Sequence, residues 1–446
     1  MERINAVLSG IIVPLMLILV GVFYGWKLKF FYILKPHTVV GGMRSEERGG
    51  GVSSAKAVSL ALAGTLGVGN IVGVSSAICL GGFGAVFWMW ISALVAMILK
   101  YAEIVLAMRY RRFDAKGRPH GSAMDYISAF FLSRRLKGTA RAVSCIFAAA
   151  FLVNALTMGS MLQANAISEA LGGVFDVPIP VVGIVLLLVA LVSVMKSSAG
   201  LATLTEYLVP LMSLGYIVMS LSVIILRREG LADAFSLIFS SAFSTESAVS
   251  GVGGYAFMSA IRYGVMRGLV SNEAGCGTAP AAHAISDCNV PAKQGMWGIF
   301  EVFADTVVLC TMTALCVILN YADAVAYTGN FMMMTVASYA SVLGGYASVF
   351  LAVSVFFFGA ATIMCWAHYG KVCVAYFGKS KWLTLSFSVA YCVCVILGCI
   401  ASSDTVWLLS DLAMGIMTVI NLSVIAAMWK EVKHETDLFI NDNGRR

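Results

Sequence analysis

Two segments far apart in the chain carry the residue types that could do chemistry. The first, LALAGTLGVGNIVGVSSAICLGG, sets Gly64, Gly67, Gly69 and Gly73 beside the polar Thr65 and Asn70 in an otherwise apolar run. The second, SNEAGCGTAPAAHAIS, gathers Asn272, Glu273, Gly275, Cys276, Gly277, Thr278 and Pro280. Glycine spacing alone would be met by close helix packing through small residues. Asn70 beside the glycines favours something more, because backbone freed from helix at membrane depth survives only where it is buried in protein or lines a cavity. Freed amides and half-helix N-termini hold a carboxylate, and freed carbonyls hold a cation or an ammonium. A zwitterionic amino acid presents both groups at once.

The elements that must position these segments are membrane helices. Of the 446 residues, 60% are hydrophobic and 12% charged, with a mean hydropathy of +0.89. Soluble domains sit near roughly 45–50% and about 25%, so an ordinary soluble protein is excluded. A helix crosses a bilayer with about 20 apolar residues, and eleven stretches qualify: 5–25, 57–82, 84–108, 141–168, 178–196, 203–226, 248–285, 296–320, 341–370, 383–401 and 405–428. The first is expected to remain as a span, since Lys27 and Lys29 follow it and no small-x-small cleavage site appears. If the N-terminus is outside, 24 of the 30 lysines and arginines fall in cytoplasmic segments, with only Arg3, Arg227 and Arg228 outside. That asymmetry puts the N-terminus outside and the C-terminus in the cytoplasm. The eleven cysteines lie in apolar runs without zinc or disulfide-framework spacing and read as small core residues.

Setting aside the leading span, the two interrupted segments are the first and sixth of ten. Interruptions at matching positions of two halves point to a transporter site, and five spans per half invert the second half relative to the first. The expected fold is therefore an all-α integral membrane protein of eleven transmembrane helices. It is a LeuT-type five-plus-five inverted repeat with one extra N-terminal helix and two discontinuous helices. A single domain would span 1–446, with the leading helix at 5–25, the first repeat at 57–226, the second at 248–428 and a cytoplasmic tail at 429–446.

At these residues the chain resembles the alanine or glycine:cation symporter family, usually sodium-coupled, within the same superfamily of folds. The matching stretches are GTLGVGNIVGVSSAI (64–78), GGFGAVFWMW (81–90), KYAEIVLAMRYR (100–111), SNEAGCGTAPAAHA (271–284), QGMWGIFEVFADTVV (294–308), ATIMCWAHYG (361–370) and WLLSDLAMGIMTVINL (407–422). The resemblance implies import of small neutral amino acids such as alanine and glycine with sodium, by alternating access, in a prokaryotic cell membrane. Its substrate region would include Thr65, Gly67, Gly69, Asn70, Gln163, Asn165, Asn272, Glu273, Gly275, Cys276, Gly277, Thr362 and Trp366. Thr362 and Trp366, four apart, share a helix face, a hydroxyl ligand beside an aromatic wall that limits side-chain size. A sodium site at Gly67, Asn70 and Thr362 is implied in the same way. Departures bear on that ion: Val68 and Ala361 stand where many relatives carry hydroxyls. Lys371, Phe83, the GSA at 121–123 and Ile420 also differ from the family pattern, and are expected to alter packing.

Other ionisable residues get structural expectations. Lys100 and Glu103, within one turn, are expected to pair near the cytoplasmic end of their helix. Glu206, Glu301, Asp305 and Asp411 could each satisfy a broken helix end, tie helices together or relay a proton, with a structural role expected; Arg262 and Arg267 are expected to pair with acidic residues, the alternative being to line the access path. Glu273, inside the break, is divided between holding backbone and taking part in coupling. No cofactor is expected, no nucleic-acid motif occurs, and the absence of a G-x-x-x-x-G-K-[ST] phosphate loop means the chain does not hydrolyse ATP. Two alternatives remain beside the sodium symporter. One keeps the fold with proton coupling or exchange, motivated by Val68 and Ala361. The other is a membrane-embedded enzyme using His283 or Glu273 as base, for which no nucleophile or metal constellation is found.

Overall fold

A computed structural model describes residues 2–44, 52–243 and 251–443. Among them the chain is helical almost throughout, apart from a two-stranded antiparallel hairpin pairing Arg112–Phe113 with Pro119–His120. Eight helices are long and apolar enough to cross a membrane, and a bent pair makes a ninth. We number the principal helices α1 (Arg3–Lys27), α2 (Ser54–Thr65), α3 (Val72–Gly81), α4 (Gly84–Tyr110), α5 (Ala123–Ser133), α6 (Lys137–Phe175), α7 (Ile179–Met195) and α8 (Ser198–Leu226). The numbering continues with α9 (Leu231–Ala242), α10 (Gly251–Asn272), α11 (Ala279–His283), α12 (Pro291–Leu319), α13 (Phe331–Leu343), α14 (Gly345–Phe377), α15 (Lys381–Ile400), α16 (Ser403–Ala427) and α17 (Trp429–Asn443).

Every one of the eleven expected stretches is mainly helical where described; residues 248–250, the start of one of them, and 444–446 of the tail lie outside the described residues. Several boundaries differ. The helix expected over 141–168 runs from Lys137 to Phe175, because a wide π turn at Thr157–Leu162 absorbs an extra residue without ending it. The stretch expected to begin at 341 splits at Gly344, whose φ of +68° suits glycine, so that α13 precedes α14 as a separate helix. The helix α7 has only 17 residues, at the short end for a span.

Helix α4 forms the centre of the bundle, with most of its residues buried from Gly84 to Met108. Glycines let its neighbours approach. On α10, a Cβ at Gly268 would stand 2.5 Å from the Ser92 hydroxyl, and on α12 one at Gly295 would stand 2.7 Å from the Tyr101 ring. Close backbone approach of this kind replaces the hydrophobic drive that lipid cannot supply. The faces turned away from the bundle carry the opposite pattern: Leu188, Leu211, Leu214, Val389 and Ile400 are exposed, as helix faces meeting acyl chains should be. The last helix, α17, is polar and amphipathic and docks on the end of α4, where Arg109 pairs with Glu431 at 3.2 Å and with Glu435.

Candidate functional site

The bundle brings the two glycine-rich segments together at its core, and both are broken. Helix α2 stops at Thr65, Leu66 and Gly67 leave the helical conformation, Val68–Asn70 make one 3-10 turn, and α3 leaves at 57° to α2. Gly67 is extended, at φ −114° and ψ −160°, and what requires glycine is space. A Cβ there would lie 2.7 Å from Thr362 Oγ1 and 3.0 Å from Gln163 Oε1. Thr362, on α14, sits 2.9 Å from the Ala63 carbonyl and 3.0 Å from the Phe358 carbonyl of its own helix, with one proton to give. Gln163, on α6, accepts from the Val68 amide at 3.2 Å and donates to the Met158 carbonyl at 3.1 Å. The backbone of the first break is thus gripped by a hydroxyl and a neutral amide. The two residues that depart from the hydroxyl-bearing pattern, Val68 and Ala361, are both fully buried.

Trp366, one turn beyond Thr362, is fully buried and packs on the backbone of Gly159 in the π turn of α6, where any Cβ would overlap the indole. Phe151 and Tyr369 meet its ring edge-on at 5.8 and 5.3 Å, and its Nε1 has no hydrogen-bond partner.

Asn70 turns the other way, toward α10 and α12. Its Nδ2 donates to Asp305 Oδ1 at 2.6 Å and to the Ser271 hydroxyl at 3.0 Å, while its Oδ1 is buried and unpaired. Asp305 lies in the π turn Phe303–Cys310 and also accepts from Ser271 at 2.6 Å and Thr306 at 2.7 Å. Asn272 donates to Thr306 at 3.1 Å. One polar cluster therefore ties the first break to the second.

The second break, between α10 and α11, is forced by sequence-local chemistry. Glu273, Gly275 and Gly277 have φ of +55°, +90° and +79°, Asn272 Oδ1 accepts from the Ala274 amide at 3.0 Å, and Pro280 opens α11. Glycine at 275 and 277 makes that left-handed path cheap, whereas Glu273 adopts it against its preference. Charged groups hold the frame. Lys100 donates to the Asn272 carbonyl at 2.8 Å and pairs with Glu301 at 3.0 Å. Glu103 accepts from the Gly277 amide at 2.9 Å and from Asn421 Nδ2, 2.5 Å away, while Asn421 also reaches the Gly275 carbonyl and accepts from Tyr126. Glu301 is further met by His283 at 3.2 Å, which in turn faces Gln294 at 2.9 Å.

The expected Lys100–Glu103 pair is not the contact made. Both side chains are fully buried rather than at a helix end, and Lys100 reaches across to the end of α10 and to α12, where the Asn272 carbonyl at the second break lies within its reach together with the Glu301 carboxylate. Of the sequence-derived site residues, Gly67, Gln163 and Thr362 meet at one point, and Asn70 and Asn272 share the Asp305 cluster. Thr65 lies 3.5 Å from Glu301 Oε1, and Gly69 makes ordinary contact with Ser271. Gly277 faces Glu103, Gly275 packs on Leu422, and Cys276 lies 3.4 Å from the Thr418 hydroxyl, so this part of the segment addresses α4 and α16. The Asn165 amide donates to the Ala401 carbonyl at the end of α15, 3.0 Å away. The expectation of ion pairing holds for Arg267, which is 3.5 Å from Asp411 and stacks over Trp407, and for Glu206, 3.3 Å from Lys56. Sequence reasoning missed Thr306, took in Ser271 only as part of the SNEAGCG segment, and left Asp305 among acids that could satisfy a broken helix end, tie helices together or relay a proton. The available signal was an acid in an apolar run, which in a membrane marks function by default.

Among the described residues, helices long and apolar enough to span a membrane surround two broken segments with a shared polar core, and the relatives, all transporters, make this a multi-pass membrane transporter and not an enzyme. The comparisons refine this. The chain belongs to the sodium:alanine symporter family, whose profile matches residues 1–445, and this makes it a cation-coupled amino acid transporter. It is similar to the sodium/alanine symporter AgcS of Methanococcus maripaludis, with 32% identity over 454 residues covering 98% of this chain and 96% of the relative. An uncharacterized transporter of Haemophilus influenzae is 34% identical over 431 residues, covering 95% and 92%. In fold, the chain is similar to a Na+-coupled sialic acid symporter solved in a substrate-bound outward-open state, with a TM-score of 0.55 and 14% identity over 95% of this chain and 86% of that one. At that identity the likeness concerns the fold alone.

Proposed function

We propose that the protein imports small neutral amino acids, alanine and glycine foremost, together with sodium, by alternating access around the two breaks. One observation carries the reading: at Gly67 an unwound backbone, the Thr362 hydroxyl and the Gln163 amide converge within the space of one methyl group. Backbone amides and carbonyls there suit the two charged ends of an amino acid, and the freed carbonyls with Thr362 suit a sodium ion carried as co-substrate. The indole of Trp366, with its unpaired Nε1, forms the wall on the same face of α14 as Thr362 and limits the substrate side chain. The unpaired Asn70 Oδ1 supplies a further acceptor beside the first break. The name of the Methanococcus relative, a sodium/alanine symporter, supports both substrate and ion. The eleven-span inverted-repeat layout, supported by the apolar stretches and the matched positions of the breaks, and the N-terminus outside, supported by the lysine and arginine distribution, belong to this proposal.

The test is uptake of labelled alanine, glycine and glutamine into proteoliposomes under inward gradients of sodium, protons or neither. Sodium-driven accumulation of the two small substrates, abolished by Thr362→Ala, is the expected result. Accumulation driven by acidification without sodium selects proton coupling, the reading favoured by the buried Val68 and Ala361 where hydroxyls would serve sodium. Uptake of none of the three by folded protein overturns the substrate class.

A further inference from the structure

Glu273 differs from every other carboxylate in the core. It is fully buried, and its backbone is held at φ +55°, a conformation costly for a residue with a side chain. Neither carboxylate oxygen has a hydrogen-bond partner among the described residues. The Thr278 hydroxyl faces it without closing a hydrogen bond and is itself unpaired, as is Oε2 of Glu103.

The charged and titratable groups around Glu273 come from three helices and its own segment. They are Lys100 and Glu103 on α4, Glu301 and Asp305 on α12, Cys365 and Tyr369 on α14, and Cys276 three residues on. One ammonium faces four carboxylates. That ammonium is engaged by Glu301 at 3.0 Å and by the Asn272 carbonyl at 2.8 Å. Asp305 has three side-chain donors, and Glu103 has the Gly277 amide and Asn421. Glu273 alone has none. A lone ionised carboxylate in a dry interior costs several kcal/mol, and such a group neutralises instead.

We infer that Glu273 is a proton-binding site built into the second break, occupied in the conformation described here. A proton fits where a metal cation does not: Lys100 repels a second cation, and no group of three His, Cys, Asp or Glu among the described residues is arranged to hold one. Protonation also turns the acceptor-only carboxylate into a donor for the Thr278 oxygen it faces. The site lies in the segment that must rearrange when a broken helix opens. There the proton passes to water as the segment becomes solvated, and it returns when the segment closes. This last step, and only this step, rests on the carrier reading.

Infrared difference spectroscopy of the purified full chain in lipid, titrated from acid to alkali, tests the site without any transport. The expected result is the carbonyl stretch of a protonated carboxylic acid that is present in the wild type and lost in Glu273→Gln. Absence of the band in the wild type, or its survival in Glu273→Gln, overturns the inference. If Glu273→Gln does not fold, Glu273→Asp replaces it: a band displaced in frequency supports the assignment and an unmoved band overturns it. In proteoliposomes, alanine exchange is expected to fall at the alkaline end for the wild type and to lose that fall in Glu273→Gln. An infrared band that behaves as expected in a protein that exchanges no amino acid would sink the substrate reading and leave the proton site standing.

Discussion

The two breaks are made differently. At Gly67 the first is gripped by neutral groups, the Thr362 hydroxyl and the Gln163 amide, and it meets a carboxylate only at its far end, through Asn70 and Asp305. The second is held by buried charge, Lys100 on one carbonyl and Glu103 on one amide, with Asn421 and Tyr126 behind. Neutral hydrogen bonds are worth about 0.5–1.5 kcal/mol net, weak enough for a ligand to displace. Breaking a buried ion pair costs about 3–5 kcal/mol. On the proposed carrier reading the weaker hold suits the first break to ligand exchange, while Lys100 and Glu103 keep the second break in place in this conformation, with the unpaired Glu273 as the exception among its carboxylates.

The harshest way to break this contrast is Lys100→Met, which strands Glu301 and the Asn272 carbonyl. We expect a loss of about 3–5 kcal/mol, read as a collapse of the thermal melt of detergent-solubilised protein, with part of it restored when Glu301→Gln is added. A melt unchanged by Lys100→Met would show that the second break does not depend on charge. Next comes Gly67→Ala. Overpacking costs about 1–3 kcal/mol, and here it falls on the ligand position, so uptake should drop roughly tenfold or more while the melt moves little. Equal loss of melt and uptake would make the first break a frame as well. Smaller still, Tyr126→Phe removes the donor behind Asn421 and should cost about 1 kcal/mol, seen as a modest fall in melting temperature without change in sodium dependence.

A half-buried carboxylate at the surface sets the floor of the scale. Asp114, in the hairpin that follows α4, accepts from the Lys116 and Arg118 amides and from the Arg118 side chain, which hold its carboxyl down at about 2. A folded value below the unfolded one stabilises the hairpin above the ordinary carboxylate range, and that contribution is lost as pH falls toward 2. The protection of the amides of residues 112–120, taken relative to their intrinsic exchange rate at each pH, should therefore fall in acid in the wild type and show no such step in Asp114→Asn, with transport unaffected.

Much of this arrangement is legible in the sequence because glycine and proline punctuate apolar runs locally: both breaks, and the Thr362–Trp366 face, follow from residues a few positions apart. What is not legible depends on partners far along the chain. Asn70 meets Asp305 across 235 residues, and Lys100 prefers Glu301 to the nearer Glu103. A spacing of three suggests a pair on one helix, but side chains on a buried helix answer to the neighbours packed on it. The π turns at 157–162 and 303–310 leave no pattern in residue types, yet one presents Gly159 to Trp366 and the other Asp305 to Asn70.

The backbone character of the first break has a consequence for inheritance. Apart from proline, which lacks the N–H, every amino acid offers the same amide and carbonyl, so side-chain substitutions leave these groups in place. If the proposed site is right, a lineage that changes its substrate does so through the walls, the indole at 366 and the amide at 163, while Gly67 is held by the lack of room for even one carbon. New specificities would then arise around an unaltered centre, and descendants with different diets would keep the same broken strand of main chain at the heart of the carrier.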